Sequence, residues 1–383
     1  MKSRFIINLA LAGAVSVALC SGCSSKASQN YKNGMECFNV ADYSGAVEYF
    51  KQAVETDSDN AQYLVSLGMA QAELIDYEGA LGTFDSAIAA DGNCADAYRG
   101  KGIVYYRQND YEKAMEAFDT AVSLSGDKYD QIKIDSLKYY ASCQYITGDY
   151  ESAVETYGEL IEHADKDDLA ELYYSRGCAY VCLKDENNAV LDYEKSLEYE
   201  DDNYETYCNM YSNLKEAGYV ERAESYLRRL LNGDGTDKLL FGKTYYNLGD
   251  YDKAIEYLES EYNDGNNEAA YYLAMTYEAM ENYAEADELY LEYLGKHPND
   301  AFIYNQYGAY LINRGKYDSA LVYIETGIEL GDTEAMQGLL FNQAVCYEYS
   351  HDYDKAREAF EEYLALYPND KAARKEYEFL KTR

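Results

Sequence analysis

Two cysteines four residues apart, Cys178 and Cys182, come closest in this chain to a reactive cluster. On a helix that spacing is one turn and puts both thiols on one face, an arrangement suited to a soft metal ion or a redox couple. The three histidines, His163, His297 and His351, are scattered and cannot complete such a site by local spacing. Asp57-Ser58-Asp59-Asn60 begins like a calcium loop. Ala61 and Gln62 then stand where a ligand and the glycine of the sharp turn should follow, so the segment reads as a turn. No His-Glu-x-x-His pair, glycine-rich phosphate loop or Gly-x-Ser-x-Gly elbow occurs. With 70 Asp and Glu in the chain, carboxylate pairs carry no information. No catalytic residue, metal or cofactor is nominated, and the expectation is a protein that is not an enzyme.

The charge balance narrows the partners. Against those 70 acidic residues stand 33 Lys and Arg, a net of -37. Nucleic acid is excluded, because phosphate binding needs clustered cations. An acidic surface favours solubility and attracts basic partners or, in bulk, divalent cations. Two prolines, no tryptophan and 47 tyrosines suit helical runs with short connections and broad, half-buried faces.

The N-terminus reads as an address. Met1-Lys2-Ser3-Arg4 carries two positive charges, Phe5 to Cys20 is apolar apart from Asn8 and Ser16, and the small residues Ser21-Gly22 follow. This order is that of an export signal, and the apolar run is short for a spanning helix. Leu19-Cys20-Ser21-Gly22-Cys23 resembles a bacterial lipoprotein lipobox, with Cys20 where that family usually has Leu. The resemblance implies a signal peptide over 1–22, lipid attachment at Cys23, a short tether over 23–30, and a membrane-anchored protein facing the extracytoplasmic side of the cell envelope. Of the seven later cysteines, Cys37, Cys143 and Cys346 take neighbouring places in their segments and read as small apolar filler.

The remainder repeats one motif. A small residue followed four later by a large apolar one recurs as Ala46/Phe50, Ala80/Phe84, Ala114/Phe118, Ala153/Tyr157 and Ala189/Tyr193, then as Ala223/Leu227, Ala254/Leu258, Ala286/Tyr290, Ala320/Ile324 and Ala356/Phe360. Twelve residues before each alanine stands Gly34, Gly68, Gly102, Ala141, Gly177, Gly242, Ala274, Gly308 or Ala344, with Tyr211 the exception. Two short helices and a tight turn fill this period, and small residues let the helices cross closely, Gly or Ala facing Ala. Asp42, Asp76, Asp110, Asp149, Asp250 and Asp352 are placed to cap the second helices.

This pattern resembles the tetratricopeptide repeat family over about residues 27–370. The resemblance implies an all-α fold, a right-handed superhelical solenoid of about ten helix-turn-helix repeats, with residues 371–383 as a C-terminal capping helix. The register is weakest over 204–266, where a bend or a missing hairpin is expected. Extra residues around Gly126 should lengthen a loop or a helix.

In that family protein and peptide ligands lie in a concave groove made by the first helices. Placed in register, Arg99, Ile103, Tyr106, Arg107, Lys138 and Tyr145 fall there. They would suit an acidic or C-terminal carboxylate, although the family's Lys-Asn-Asn-Lys-Arg constellation has no match. The alternative is that these cations pair with surrounding Asp and Glu. From the fifth hairpin on the face turns apolar: Tyr174, Val181, Leu239, Tyr246, Tyr271, Met275, Phe302, Ile312, Phe341, Val345 and Tyr349 form either a recognition patch or core. On the same face Cys208 would join Cys178 and Cys182. The favoured reading is a membrane-anchored scaffold or assembly adaptor for envelope or secreted proteins; the second is an accessory subunit binding cell-wall glycan or extracellular polysaccharide.

Overall fold

The computed structural model describes residues 26–199, 204–232, 236–368 and 370–383. The expected signal peptide over 1–22 and the expected lipid attachment at Cys23 lie outside the described residues. Residues 26–30, expected in a tether, already belong to the first helix. Among the described residues the fold is all-α, with a single 3-10 turn at Lys166–Asp168 and no strand.

The chain divides into two compact units. The first holds the described residues up to 199 together with Ser212–Tyr219. It contains α1 (Lys26–Asn39) and α2 (Tyr43–Thr56), α3 (Ala61–Glu73) and α4 (Tyr77–Ala90), and α5 (Ala95–Arg107) and α6 (Tyr111–Ser125). Then come α7 (Gln131–Thr147) and α8 (Tyr150–His163), and α9 (Leu169–Cys182) and α10 (Glu186–Tyr199). Helix α11 (Tyr204–Glu216) contributes its first half, Tyr204–Tyr211, to the second unit.

That second unit continues with Val220–Arg383. Its helices are α12 (Val220–Leu230), α13 (Lys238–Leu248), α14 (Tyr251–Asn263), α15 (Asn267–Ala279) and α16 (Tyr283–Lys296). They are followed by α17 (Ala301–Asn313), α18 (Tyr317–Glu329), α19 (Thr333–Tyr349), α20 (Tyr353–Leu366) and α21 (Lys371–Leu380). The helices pair as helix-turn-helix hairpins of the kind that build tetratricopeptide solenoids. Over the stretch expected to hold a bend or a missing hairpin, α11 to α14 are all present, and α12 and α13 are short at 11 residues each. The extra residues near Gly126 are absorbed mainly by α7, which runs to 17 residues. Ala373 and Leu380 bury α21 against the last hairpin.

Helices this short are marginal alone and persist by burying an apolar stripe. All ten alanines of the repeat are fully buried, and their large partners are no more than 3% exposed. One detail of packing differs from expectation. The first-helix glycines face the large residue of the second helix rather than its alanine. A Cβ added at Gly34 would fall 2.6 Å from the Phe50 ring, and one at Gly68 2.7 Å from Phe84. Gly100, on the following hairpin, presses on the same Phe84 ring.

The turns are more uniform than the sequence. In every hairpin the residue before the second helix's cap has a left-handed backbone: Ala41, Ile75, Asn109, Gly148, Lys184, Gly218, Gly249, Glu281, Gly315 and His351. The next N–H then donates to the carbonyl five residues back, as from Asp42 to Cys37 and from Asp352 to Tyr347, each at 2.9 Å. The carboxylates of Asp42, Asp76, Asp110, Asp149 and Asp352 accept from a backbone N–H of the helix they start. Asp250 caps no N–H with its side chain and instead holds the Lys253 Nζ at 2.8 Å.

Candidate functional site

First helices of successive hairpins lie side by side: α3 with α5 and α5 with α7 in the first unit; α13, α15, α17 and α19 in sequence in the second. The candidate residues sit on these rows.

In the first unit the three cations are committed to neighbours. Arg99, on α5, is 6% exposed and lies between Asp96 and Asp135 of α7, each at 2.7 Å. Arg107 reaches back to α3, donating to Glu73 at 2.9 Å and to the Ala72 carbonyl at 3.1 Å. Lys138, on α7, binds Asp168 at 2.6 Å, just before α9. Each cation thus joins one hairpin to the next, which is the ion-pairing alternative to a carboxylate clamp. Tyr106 packs edge-on against Tyr111 and Tyr139, and Tyr145 against Tyr150. Burial raises the hydroxyl pKa of Tyr106 and of Tyr145.

Cys178 and Cys182, one turn apart, lie in different surroundings. Cys178 is buried, accepts from the Asn213 amide at 3.4 Å and sits 3.5 Å from the Tyr193 hydroxyl. Burial pushes its pKa up to about 12, leaving it a poor ligand or nucleophile at neutral pH. Cys182, one turn on, is exposed and donates to the Tyr145 hydroxyl at 3.7 Å. Cys208 lies 3.8 Å from the Asn247 amide. Among the described residues no three His, Cys, Asp or Glu side chains are grouped to hold a metal ion. The histidines pack at turns: His163 stacks on Tyr129, His297 on Tyr293, and His351 Nδ1 lies 2.9 Å from the Tyr353 hydroxyl.

The apolar row divides. Tyr174 and Val181 are core. Tyr246 on α13, Tyr271 on α15, Phe302 on α17 and Phe341 on α19 are half-buried. Tyr271 meets Phe302 edge-on at 5.7 Å and Tyr272 at 5.4 Å, while Tyr246 meets Tyr272 at 5.7 Å. Phe341 packs on Phe360 and Tyr363 of α20 and so serves its own hairpin.

Sequence reading missed Glu278. It lies on α15 two turns beyond Tyr271, half-buried, and among the described residues its side chain makes no ion pair or hydrogen bond. Burial raises its pKa, against a smaller opposing effect from Arg314. Its charge in turn raises the hydroxyl pKa of Tyr246, Tyr271, Tyr290 and Tyr310. Register was the available signal. Glu278 stands four after Ala274, the place that Tyr106, Tyr145 and Tyr246 hold in their hairpins.

Tetratricopeptide repeat models match residues 31–93, 76–129, 170–203 and 338–370. A model of the anaphase-promoting complex, cyclosome, subunit 3 matches 216–292. No curated protein matches the chain. Among solved structures, MamA is 22% identical, aligned over 46% of this chain and 92% of its own, with a TM-score of 0.39. Yeast Tom70 is 15% identical over 89% of this chain and 85% of its own, with a TM-score of 0.43. PilW, a type IV pilus biogenesis factor, is 15% identical over 55% and 94%, with a TM-score of 0.47. These are likenesses in fold at most.

Proposed function

We propose that this chain, a tetratricopeptide repeat protein and thus a protein-protein interaction scaffold, is a membrane-anchored adaptor that holds envelope or secreted proteins on the first-helix face of its second unit. The observation that carries the choice of face is the half-buried aromatic row of Tyr246, Tyr271 and Phe302 on three adjacent first helices. Such rings offer large contact area at low entropic cost. In the first unit the corresponding cations are already bound within the chain, so they hold hairpins together and leave recognition to the aromatic side.

The anchoring half of the proposal is supported by the order of charged, apolar and small residues ahead of Cys23. A net charge of -37 would then hold the repeats away from an anionic bilayer surface. Capture of proteins from solubilised envelope by the wild-type chain, by Tyr271→Ala and by Phe302→Ala tests the face. Lost capture with an unchanged unfolding midpoint supports it. Lost folding would return both rings to the core, and retention of wall glycan alone would favour the polysaccharide reading. Cys23→Ala should release the protein from membranes; continued membrane retention would remove the anchor.

A further inference from the structure

We infer that Glu278, with Tyr246 and Tyr271, is a subsite for the cationic side chain of a lysine or arginine on the bound protein; this rests on the proposed scaffold role of the same face. The first ground is an uncompensated charge. Most half-buried carboxylates near this row are satisfied: Glu268 binds Lys243 at 2.5 Å, and Asp287 binds Lys316 at 2.8 Å. Among the described residues the Glu278 carboxylate has no such partner. Arg314, the cation it senses, is instead stacked 3.6 Å over the Tyr283 ring. A carboxylate withdrawn from water and left unpaired attracts a cation more strongly than an exposed one does.

The second ground is the rings. The chain repeatedly places its own cations over tyrosines here: Lys243 lies 4.3 Å from the centre of Tyr204 and 5.3 Å from that of Tyr272. Tyr246 and Tyr271 belong to the same aromatic cluster and the same pair of helices, yet among the described residues no cation covers them. Tyr271 and Glu278 stand seven residues apart on one face of α15, α13 with Tyr246 packs beside that helix, and the Glu278 charge raises both hydroxyl pKa values. A carboxylate beside open aromatic faces recognises an ammonium or guanidinium by charge and by cation–π attraction together. The overall acidity of the chain would draw basic partners toward it.

The test uses the full chain in detergent, a fluorescein-labelled hexalysine peptide, and its fully acetylated counterpart, at about 150 mM salt to screen diffuse attraction. Glu278→Gln should weaken hexalysine binding at least tenfold. Glu155→Gln, the same charge change on an exposed site of α8, should change it less than twofold. Equal losses in the two variants, or equal affinity for the acetylated peptide, would overturn the inference. Glu278→Gln removes a half-buried charge and should keep the unfolding midpoint. The double variant Tyr246→Leu/Tyr271→Leu should likewise lose hexalysine binding while its helical circular dichroism persists; retained binding would count against the inference. If the wild type captures envelope proteins independently of Glu278, the subsite falls and the scaffold stands. If the wild type captures no protein, the scaffold reading itself fails.

Discussion

The ring of Phe84 occupies the space that a side chain at Gly68 would need, and Gly100 closes on the same ring from the next hairpin. Phe84 is fully buried and cannot swing aside. Gly68→Ala should therefore cost about 1–3 kcal/mol through overpacking. Gly82→Ala, on the exposed side of α4 with nothing within 4 Å, should instead gain up to about 1 kcal/mol from helix propensity. Urea midpoints of the two variants should move in opposite directions.

Ile75 holds a left-handed backbone at φ 63° with a β-branched side chain that is 57% exposed. Ile75→Gly should relieve about 1 kcal/mol of strain and raise the unfolding midpoint. Gly148→Ala, at φ 90°, should lower it by a similar amount. The opposite pair of shifts, a fall for Ile75→Gly and a rise for Gly148→Ala, would mean that chain entropy, not turn geometry, governs these positions.

Asp135→Ala should destabilise the first unit by about 2–3 kcal/mol, since it strips one of two carboxylates from a buried guanidinium. Arg99→Ala should also destabilise, which guards against reading its loss as lost ligand binding. Thermal unfolding of each variant, measured beside partner capture, separates the two effects.

Stability should fall with alkali. Burial pushes the hydroxyls of Tyr139, Tyr246 and Tyr272 up to about 12, against about 10 for tyrosine in an unfolded chain. A raised folded pKa means that the native state keeps protons which the unfolded state releases. The contribution is therefore complete below pH about 10 and is lost as pH rises through about 12. Urea midpoints should be level below about pH 10 and drop above it, with tyrosinate absorbance appearing together with unfolding.

The repeat was legible because its signals are local and periodic. Ala80 and Phe84 pack alike in every hairpin, so their spacing survives in the sequence, as do cap residues such as Asp76. The left-handed turn residues were not legible, because Ala41, Ile75 and Asn109 share a backbone shape and no chemistry. The site was legible only in outline. Arg99, Arg107 and Lys138 lie on first helices, as their spacing suggested, but their partners Asp135, Glu73 and Asp168 stand 30 or more residues away in the sequence. Glu278 was hidden among many acids, since its lack of a side-chain partner among the described residues is a property of the fold rather than of the sequence.

The shared turn has a bearing on how such a chain changes over generations. Each hairpin leaves its first helix through the same left-handed residue and the same five-residue hydrogen bond, whether that residue is glycine, alanine or isoleucine. The junction tolerates almost any side chain, so duplication or loss of one hairpin needs no new connector chemistry. Lineages could therefore lengthen or shorten the array by whole units while the specificity-bearing residues of the other hairpins drift independently.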